Sequence, residues 1–101
     1  MPVAYILVES KISDPEQFKK YMAAAPEVVK AFGGEYLVRG GRMDVLEGTW
    51  QPTRLTVLRY PSFEAAKAMY DSPAYVQVRA LRAGAAAVFN MVLVEGVDAP
   101  V

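Results

Sequence analysis

Two segments, one near each end of the chain, are apolar on both of their alternating faces. Val3 to Glu9 sets Tyr5 and Leu7 against Ala4, Ile6 and Val8. Val88 to Glu95 sets Phe89, Met91 and Leu93 against Val88, Val92 and Val94. Strands of that kind have to be covered on both sides. The chain has 101 residues, about one domain's worth, and folding buries roughly 65% of what an unfolded chain of this size exposes. That allows one core, so a single domain over residues 1–101 is expected.

Between these strands the punctuation is regular. Ser13-Asp14-Pro15-Glu16 opens a helix, with Ser13 expected to cap it, Glu16 to close a capping box and Pro15 to suit the first turn. Phe18, Tyr21, Met22, Ala25, Val29 and Phe32 follow at helical spacing. Pro26 removes one helical hydrogen bond, which predicts a kink there or two helices meeting. Gly33-Gly34 ends the helix. Glu35 to Arg39 reads as a strand that alternates Tyr36 and Val38 against Leu37 and Arg39. Gly40-Gly41 is a turn or bulge, Val45-Leu46-Glu47 a short edge strand, and Gly48 to Pro52 a loop. Arg54 to Tyr60 is the next strand. Ser62 then caps a helix carrying Ala65, Ala66, Met69 and Tyr70. Asp71-Ser72-Pro73 breaks that helix and starts another, with Ser72 capping and Pro73 in its first position, which ends near Gly84.

Strand, helix, strand, strand, helix, strand is the ferredoxin-like βαββαβ order, an α+β fold on an antiparallel sheet. Its helices cover one sheet face. The terminal strands would leave an apolar patch on the other. The same face of a second copy would cover that patch, so a homodimer through sheet faces, a dimeric α+β barrel, is expected.

Composition excludes several classes of function. Eleven Lys+Arg balance eleven Asp+Glu, leaving no basic stripe for nucleic acid. Cysteine and histidine are both absent. That removes disulfides, thiolate and imidazole metal sites, Cys nucleophiles and Ser-His-Asp triads. The carboxylates lack metal-ligand spacing and Gly40-Gly41 is no phosphate loop, so neither metal nor cofactor is expected. No apolar run approaches the ~20 residues that span a bilayer, and no leader is visible, so no membrane partner is expected. Cytoplasm is the default location.

Gly33-Gly34-Glu35-Tyr36-Leu37-Val38-Arg39-Gly40-Gly41 and Leu46-Glu47-Gly48-Thr49-Trp50-Gln51-Pro52-Thr53-Arg54 closely resemble a small bacterial family. It is the domain of unknown function 1330 family, within the dimeric α+β-barrel superfamily. Pro61-Ser62-Phe63-Glu64-Ala65-Ala66, Tyr70-Asp71-Ser72-Pro73-Ala74-Tyr75 and Val92-Leu93-Val94-Glu95-Gly96 fit as well, so the resemblance spans essentially the whole chain. It implies a ferredoxin-like fold and a dimer of face-packed sheets, and no established activity. The superfamily offers cofactor-independent quinol-type monooxygenases, muconolactone-isomerase-like proteins, haem-degrading enzymes and ligand-binding regulatory domains as analogies. The haem-degrading branch fits poorly, because those enzymes ligate iron through histidine.

Without His or Cys, acid–base chemistry falls to Asp, Glu, Lys and Tyr. The central segment is the densest set of candidates. Glu47, beside Leu46 at the end of an apolar run, suits a catalytic base, since an apolar setting raises a carboxyl pKa. Arg39 and Arg54 suit holding a carboxylate or enolate-like oxygen, with Trp50 as a wall. The structural alternative is a cross-strand ion pair, with Trp50 covering a dimer edge. Tyr75, Arg79 and Arg82 share one helix face at spacings of four and three. They either grip an anion or form a solvated face that favours the helix dipole. Asn90 interrupts an apolar strand and either satisfies a backbone group or points into the sheet–helix cavity, which Tyr21 would also line. Two functions stay open: a cofactor-independent enzyme, monooxygenase- or isomerase-like, acting on a small hydrophobic or aromatic carbonyl compound, and a non-catalytic small-ligand-binding or stress-related dimer. A raised Glu47 pKa favours the enzyme, and an exposed Glu47 favours the binding protein. A bare assembly module is the third option.

Overall fold

The computed structural model describes residues 2–99; Met1, Pro100 and Val101, the ends of the expected single domain, lie outside the described residues. The elements run β1 (Ala4–Ile12), α1 (Pro15–Ala31), β2 (Glu35–Arg39), β3 (Arg54–Tyr60), α2 (Phe63–Asp71), α3 (Pro73–Ala80) and β4 (Ala86–Glu95). The four strands form one antiparallel sheet in the order β2-β3-β1-β4. This is the α+β ferredoxin-like arrangement, with the second crossover helix divided in two.

Serine chemistry makes that division. Ser72 Oγ donates to the Met69 carbonyl at the end of α2 and accepts from the Tyr75 N–H at the start of α3, serving two helix ends at once. Pro73 follows in the first position of α3. Two details of α1 differ from the sequence reading. Its cap is Asp14 rather than Ser13, with the carboxylate accepting from Gln17 N–H at 3.2 Å. Pro15 fixes the first helical position, so the residue before it is the cap. The Ser13 N–H donates instead to Ala85 O, and Glu16 pairs with Lys19. Pro26 neither ends the helix nor splits it: the 17 residues of α1 run through it continuously.

Val45-Leu46-Glu47 forms no strand; among the described residues the whole stretch from Gly41 to Thr53 has neither helix nor strand and is mostly exposed. Leu46 is 90% exposed, so nothing packs on it to hold an extended ladder. β1 runs three residues beyond the expected Glu9, and β4 begins two before Val88.

Helices cover one sheet face. There Ile6, Val8, Leu58 and Tyr60 meet Phe18, Ala25, Val29, Met69, Tyr75 and Val78, all buried. Burying each large side chain of this set stabilises by about 1.5–3 kcal/mol. The other face carries Leu7, Val38, Val92 and Val94, which are 40–60% exposed. The molecule is correspondingly flat, at 40 × 38 × 17 Å.

Candidate functional site

The helix-covered face of the sheet encloses a cavity whose floor comes from β1 and β3 and whose roof comes from α1 and α3. Ile6, Val8, Thr56 and Leu58 lie below; Phe18, Tyr21, Met22 and Tyr75 lie above; Phe89 and Met91 close the β4 side. Arg39 and Arg54 stand at its β2 edge. The free space within is about 40 Å³, room for a few waters at most.

A bulge brings the two arginines together. Strict alternation would put Arg39 on the face opposite Tyr36. The register shifts between Tyr36 and Val38, so that Tyr36 pairs with Leu58 and Arg39 with Thr56, and both point to the helix side. The Arg39 guanidinium then lies 4.6 Å from the Tyr36 ring centroid. Arg39 also donates to the Met22 carbonyl at 2.7 Å. That carbonyl is available because Pro26, four residues on, has no N–H to give it. Arg54 is set by a different device. Gly40 adopts φ +70, and a Cβ there would sit 2.7 Å from Arg54 Nε. The missing side chain is the space that the guanidinium occupies. Arg54 further donates to Thr56 Oγ1 at 3.1 Å.

The electrostatics favour an anion at this edge. Among the described residues no carboxylate pairs with Arg39 or Arg54. Burial lowers the Arg54 pKa, and the neighbouring Arg39 cation lowers it further. Both causes mark a cation without a counter-charge. A ligand oxyanion would relieve both.

Four tyrosines surround the same space. Tyr21 and Tyr75 share a hydrogen bond of 2.7 Å between hydroxyls. Tyr75 donates onward to the Met91 sulfur at 3.7 Å, which leaves Tyr21 as donor of the shared bond. Burial raises the Tyr21 pKa well above the ordinary phenol value, the adjacent Tyr75 adds to the rise, and Arg82 opposes it. Burial likewise raises Tyr36, and it raises Tyr60, whose hydroxyl is buried without a partner among the described residues. The raised values keep the Tyr21, Tyr36 and Tyr60 hydroxyls protonated at neutral pH, and Tyr21 donates to Tyr75.

Of the residues singled out in the sequence, Arg39, Arg54, Tyr75 and Tyr21 meet at this cavity. Tyr75 is 1% exposed, so its helix face is an inner one rather than a solvated one. Arg79 and Arg82 lie outside as covers. Arg79 sits 4.6 Å from the Tyr70 ring and 5.8 Å from Tyr75, and Arg82 sits 3.7 Å from Phe89. The other three candidates are elsewhere. Asn90 points neither at a backbone group nor into the cavity. The alternation that turns Phe89 and Met91 inward turns it outward, where it donates to Glu9 Oε1 at 3.1 Å. Trp50 donates to Glu9 Oε2 at 3.0 Å on that same outer face. Glu47 is exposed in the Gly41–Thr53 connection, beside Met43, Leu46 and Trp50 in an open cup of about 420 Å³. Sequence reasoning missed Glu9, Tyr60, Thr56 and Met91. Glu9 alone of these left a signal, as the carboxylate that ends the first apolar run.

A family model described as a domain of unknown function (DUF1330) matches residues 3–97. No curated protein matches the chain. Among solved structures, a protein of unknown function from Rhodopseudomonas palustris is similar at TM-score 0.74 and 17% identity, over 97% of this chain and 85% of that one. A dimeric ferredoxin-like protein of unknown function from Thermobifida fusca is similar at TM-score 0.62 and 14% identity, over 94% of this chain and 92% of that one. SnoaB, a cofactor-independent oxygenase from Streptomyces nogalater, is similar at TM-score 0.63 and 9% identity, over 98% of this chain and 97% of that one. At these identities the likeness is one of fold.

Proposed function

This chain belongs to the DUF1330 family, whose name assigns no activity, and from that premise we propose that its sheet–helix cavity binds a small hydrophobic or aromatic carbonyl compound and holds one of its oxygens as an anion. The observation that carries this reading is the pair Arg39 and Arg54 at the edge of an aromatic cavity, with no carboxylate beside them among the described residues. A phenol or enol whose oxygen lies between two guanidinium groups loses its proton more readily, because the cations stabilise the anion. The hydrogen-bonded Tyr21–Tyr75 hydroxyl pair adds polar contacts in the same cavity. An electron-rich anion of this kind reacts with dioxygen directly or takes its proton back at another carbon. The chemistry is that of a cofactor-independent monooxygenase or an isomerase, and the likeness to a cofactor-independent oxygenase supports the class.

Glu47 is the proposed base, and its position sets the condition. It does not line the cavity of its own chain, so it would act on a ligand held by another copy. Its exposure favours the second reading, a non-catalytic small-ligand-binding dimer that uses the same cavity.

We also propose that two copies pair through their uncovered sheet faces. The chain exposes 6666 Å², against about 5,700 Å² for a compact monomer of 11.1 kDa. The bare apolar layer of a flat molecule and the exposed Gly41–Thr53 connection both add to that area.

The test is a thermal-shift screen against aromatic acids, quinols, lactones and haem. A ligand at 100 times its Kd adds about 2.7 kcal/mol of stability. The expected result is stabilisation by an aromatic acid or quinol that is lost in Arg39→Ala and Arg54→Ala. No stabilisation by any compound, or stabilisation retained in both variants, overturns the reading. With a ligand in hand, Glu47→Gln separates the two functions: lost turnover with retained binding marks the enzyme.

A further inference from the structure

Strand pairing lays out the inner face of the sheet in rows. Arg39 lies opposite Thr56, Thr56 opposite Val8, and Val8 opposite Met91. These four residues form one row across all four strands, with a guanidinium at one edge and a thioether at the other. Neighbouring strands are about 4.8 Å apart, so the row is about 14 Å long.

A second cleft, of about 280 Å³, opens at the Met91 end between α2 and β4. Ala66, Lys67, Tyr70 and Leu93 line it together with Ile6 and Met91. Ile6 and Met91 also wall the cavity whose other edge carries the arginines. Ile6 and Met91 therefore form the partition between the two spaces, and Met91 is its adaptable part. It is an unbranched, flexible side chain that repacks at low cost. Its tie to the cavity is the Tyr75 hydroxyl at 3.7 Å, a bond to a weak acceptor that a ligand oxygen would replace with a better one. On the far side of the partition the Tyr70 ring is fixed by two cations, with Arg79 at 4.6 Å and Lys67 at 5.9 Å from its centroid.

We propose that the cavity and the cleft are the inner and outer lobes of one elongated binding site, and that its ligand is an apolar monoanion about two aromatic rings long. The proposal rests on the reading of Arg39 and Arg54 as anion holders and adds length to it. The ligand's carboxylate or phenolate lies at the arginines, its body runs along the Thr56–Val8 row, and its far ring passes Met91 to rest against Tyr70 and Leu93. Volume argues for two lobes. The inner space of about 40 Å³ is smaller than the apolar cavity of about 150 Å³ that benzene fills, so a ring held at the arginines has to push Met91 toward the outer cleft. The outer cleft is large enough for a ring, and displacement of Met91 joins the two.

The experiment is calorimetric titration of the protein with benzoate, 2-naphthoate and biphenyl-4-carboxylate, paired with methyl and aromatic NMR of the same samples. Affinity should rise along the series, with biphenyl-4-carboxylate at least about tenfold tighter than benzoate. The biphenyl acid should shift Leu93, Met91 and Tyr70 resonances, while benzoate leaves Leu93 and Tyr70 in place. Leu93→Trp should cancel the gain with length and leave benzoate binding unchanged. If that variant does not fold, the NMR shifts decide alone. Equal affinities across the series, or Leu93 and Tyr70 unmoved by the biphenyl acid, overturn the elongated site while leaving the arginine reading intact. Failure of all three acids to bind overturns both.

Discussion

Arg39 donates to the carbonyl oxygen of Met22 at 2.7 Å, and Met22 lies four residues before Pro26, so this is the one carbonyl of α1 that proline deprives of its helical partner. A proline that costs the helix a hydrogen bond thus leaves an acceptor at the mouth of the cavity. The bulge between Tyr36 and Val38 delivers the guanidinium to it. Neither feature alone would hold Arg39 there.

Pro26→Ala should therefore separate stability from binding. Alanine returns an N–H to Met22 O and removes a helix-interior proline, for a gain of about 1–3 kcal/mol in unfolding free energy. Arg39 then competes for its anchor, and affinity for an aryl carboxylate should fall several-fold. Denaturant unfolding and calorimetric titration on the same preparation check both. A more stable variant with unchanged affinity would show that the Met22 carbonyl does not position Arg39.

The order of elements was legible because proline, glycine and serine mark almost every boundary: Pro15, Gly33-Gly34, Pro61-Ser62 and Ser72-Pro73 all sit at ends of elements. The site was only partly legible. Arg39 stood out before Gly40-Gly41 and Arg54 at the end of a loop, but the bulge that turns Arg39 inward has no signature in Tyr36-Leu37-Val38-Arg39, whose alternation reads equally well without it. Tyr75 was named, but its burial was not legible, since two arginines on the same face suggest solvent, whereas here their charges lie over the rings of Tyr70 and Phe89. The bonds of Asn90 and Trp50 escaped the sequence for one reason. Their partner is Glu9, 81 and 41 residues away, and local pattern does not report such pairs.

Gly40→Ala tests how Arg54 is held. Alanine at φ +70 is strained by about 1 kcal/mol, and its Cβ would lie 2.7 Å from Arg54 Nε, so the guanidinium must move. The expected loss is about 1–2 kcal/mol of stability, together with weakened anion binding close to that of Arg54→Ala. Gly41→Ala is the control, since nothing lies within 4 Å of a Cβ there. It should be near neutral in both measurements. Equal effects at both glycines would refute the packing argument.

The buried tyrosines set an alkaline limit. Burial raises Tyr21, Tyr36 and Tyr60 above the ordinary phenol value of 10.0. Below that pH the folded and unfolded chains both keep these protons, and stability does not respond to them. Above it the unfolded chain releases protons that the folded chain retains, so stability falls as pH rises. Absorbance near 295 nm should show the exposed tyrosines ionising first and the buried ones ionising with unfolding. Tyr60→Phe should flatten the decline. It should cost little at neutral pH, because the lost hydroxyl has no partner among the described residues. A large loss at neutral pH would mean that Tyr60 makes a bond not seen here.

The bare sheet face yields the last prediction. Val92 is 60% exposed and Leu7, its partner across the β1–β4 ladder, is 40% exposed, with Val94 next along the strand at 47%. If two copies pack through this face, Val92 is buried in the pair, and the two-fold relation places any charge added there in the interface twice. Val92→Glu then buries two unpaired carboxylates at a cost of several kcal/mol. Sedimentation should give twice the 11.1 kDa chain mass for the parent protein and the single mass for Val92→Glu, with unchanged far-ultraviolet circular dichroism. The cavity lies on the other face of the sheet, so the monomeric variant should still bind an aryl carboxylate. Any turnover that needs Glu47 of a second copy should disappear with the dimer. A Val92→Glu protein that sediments like its parent would place the interface elsewhere.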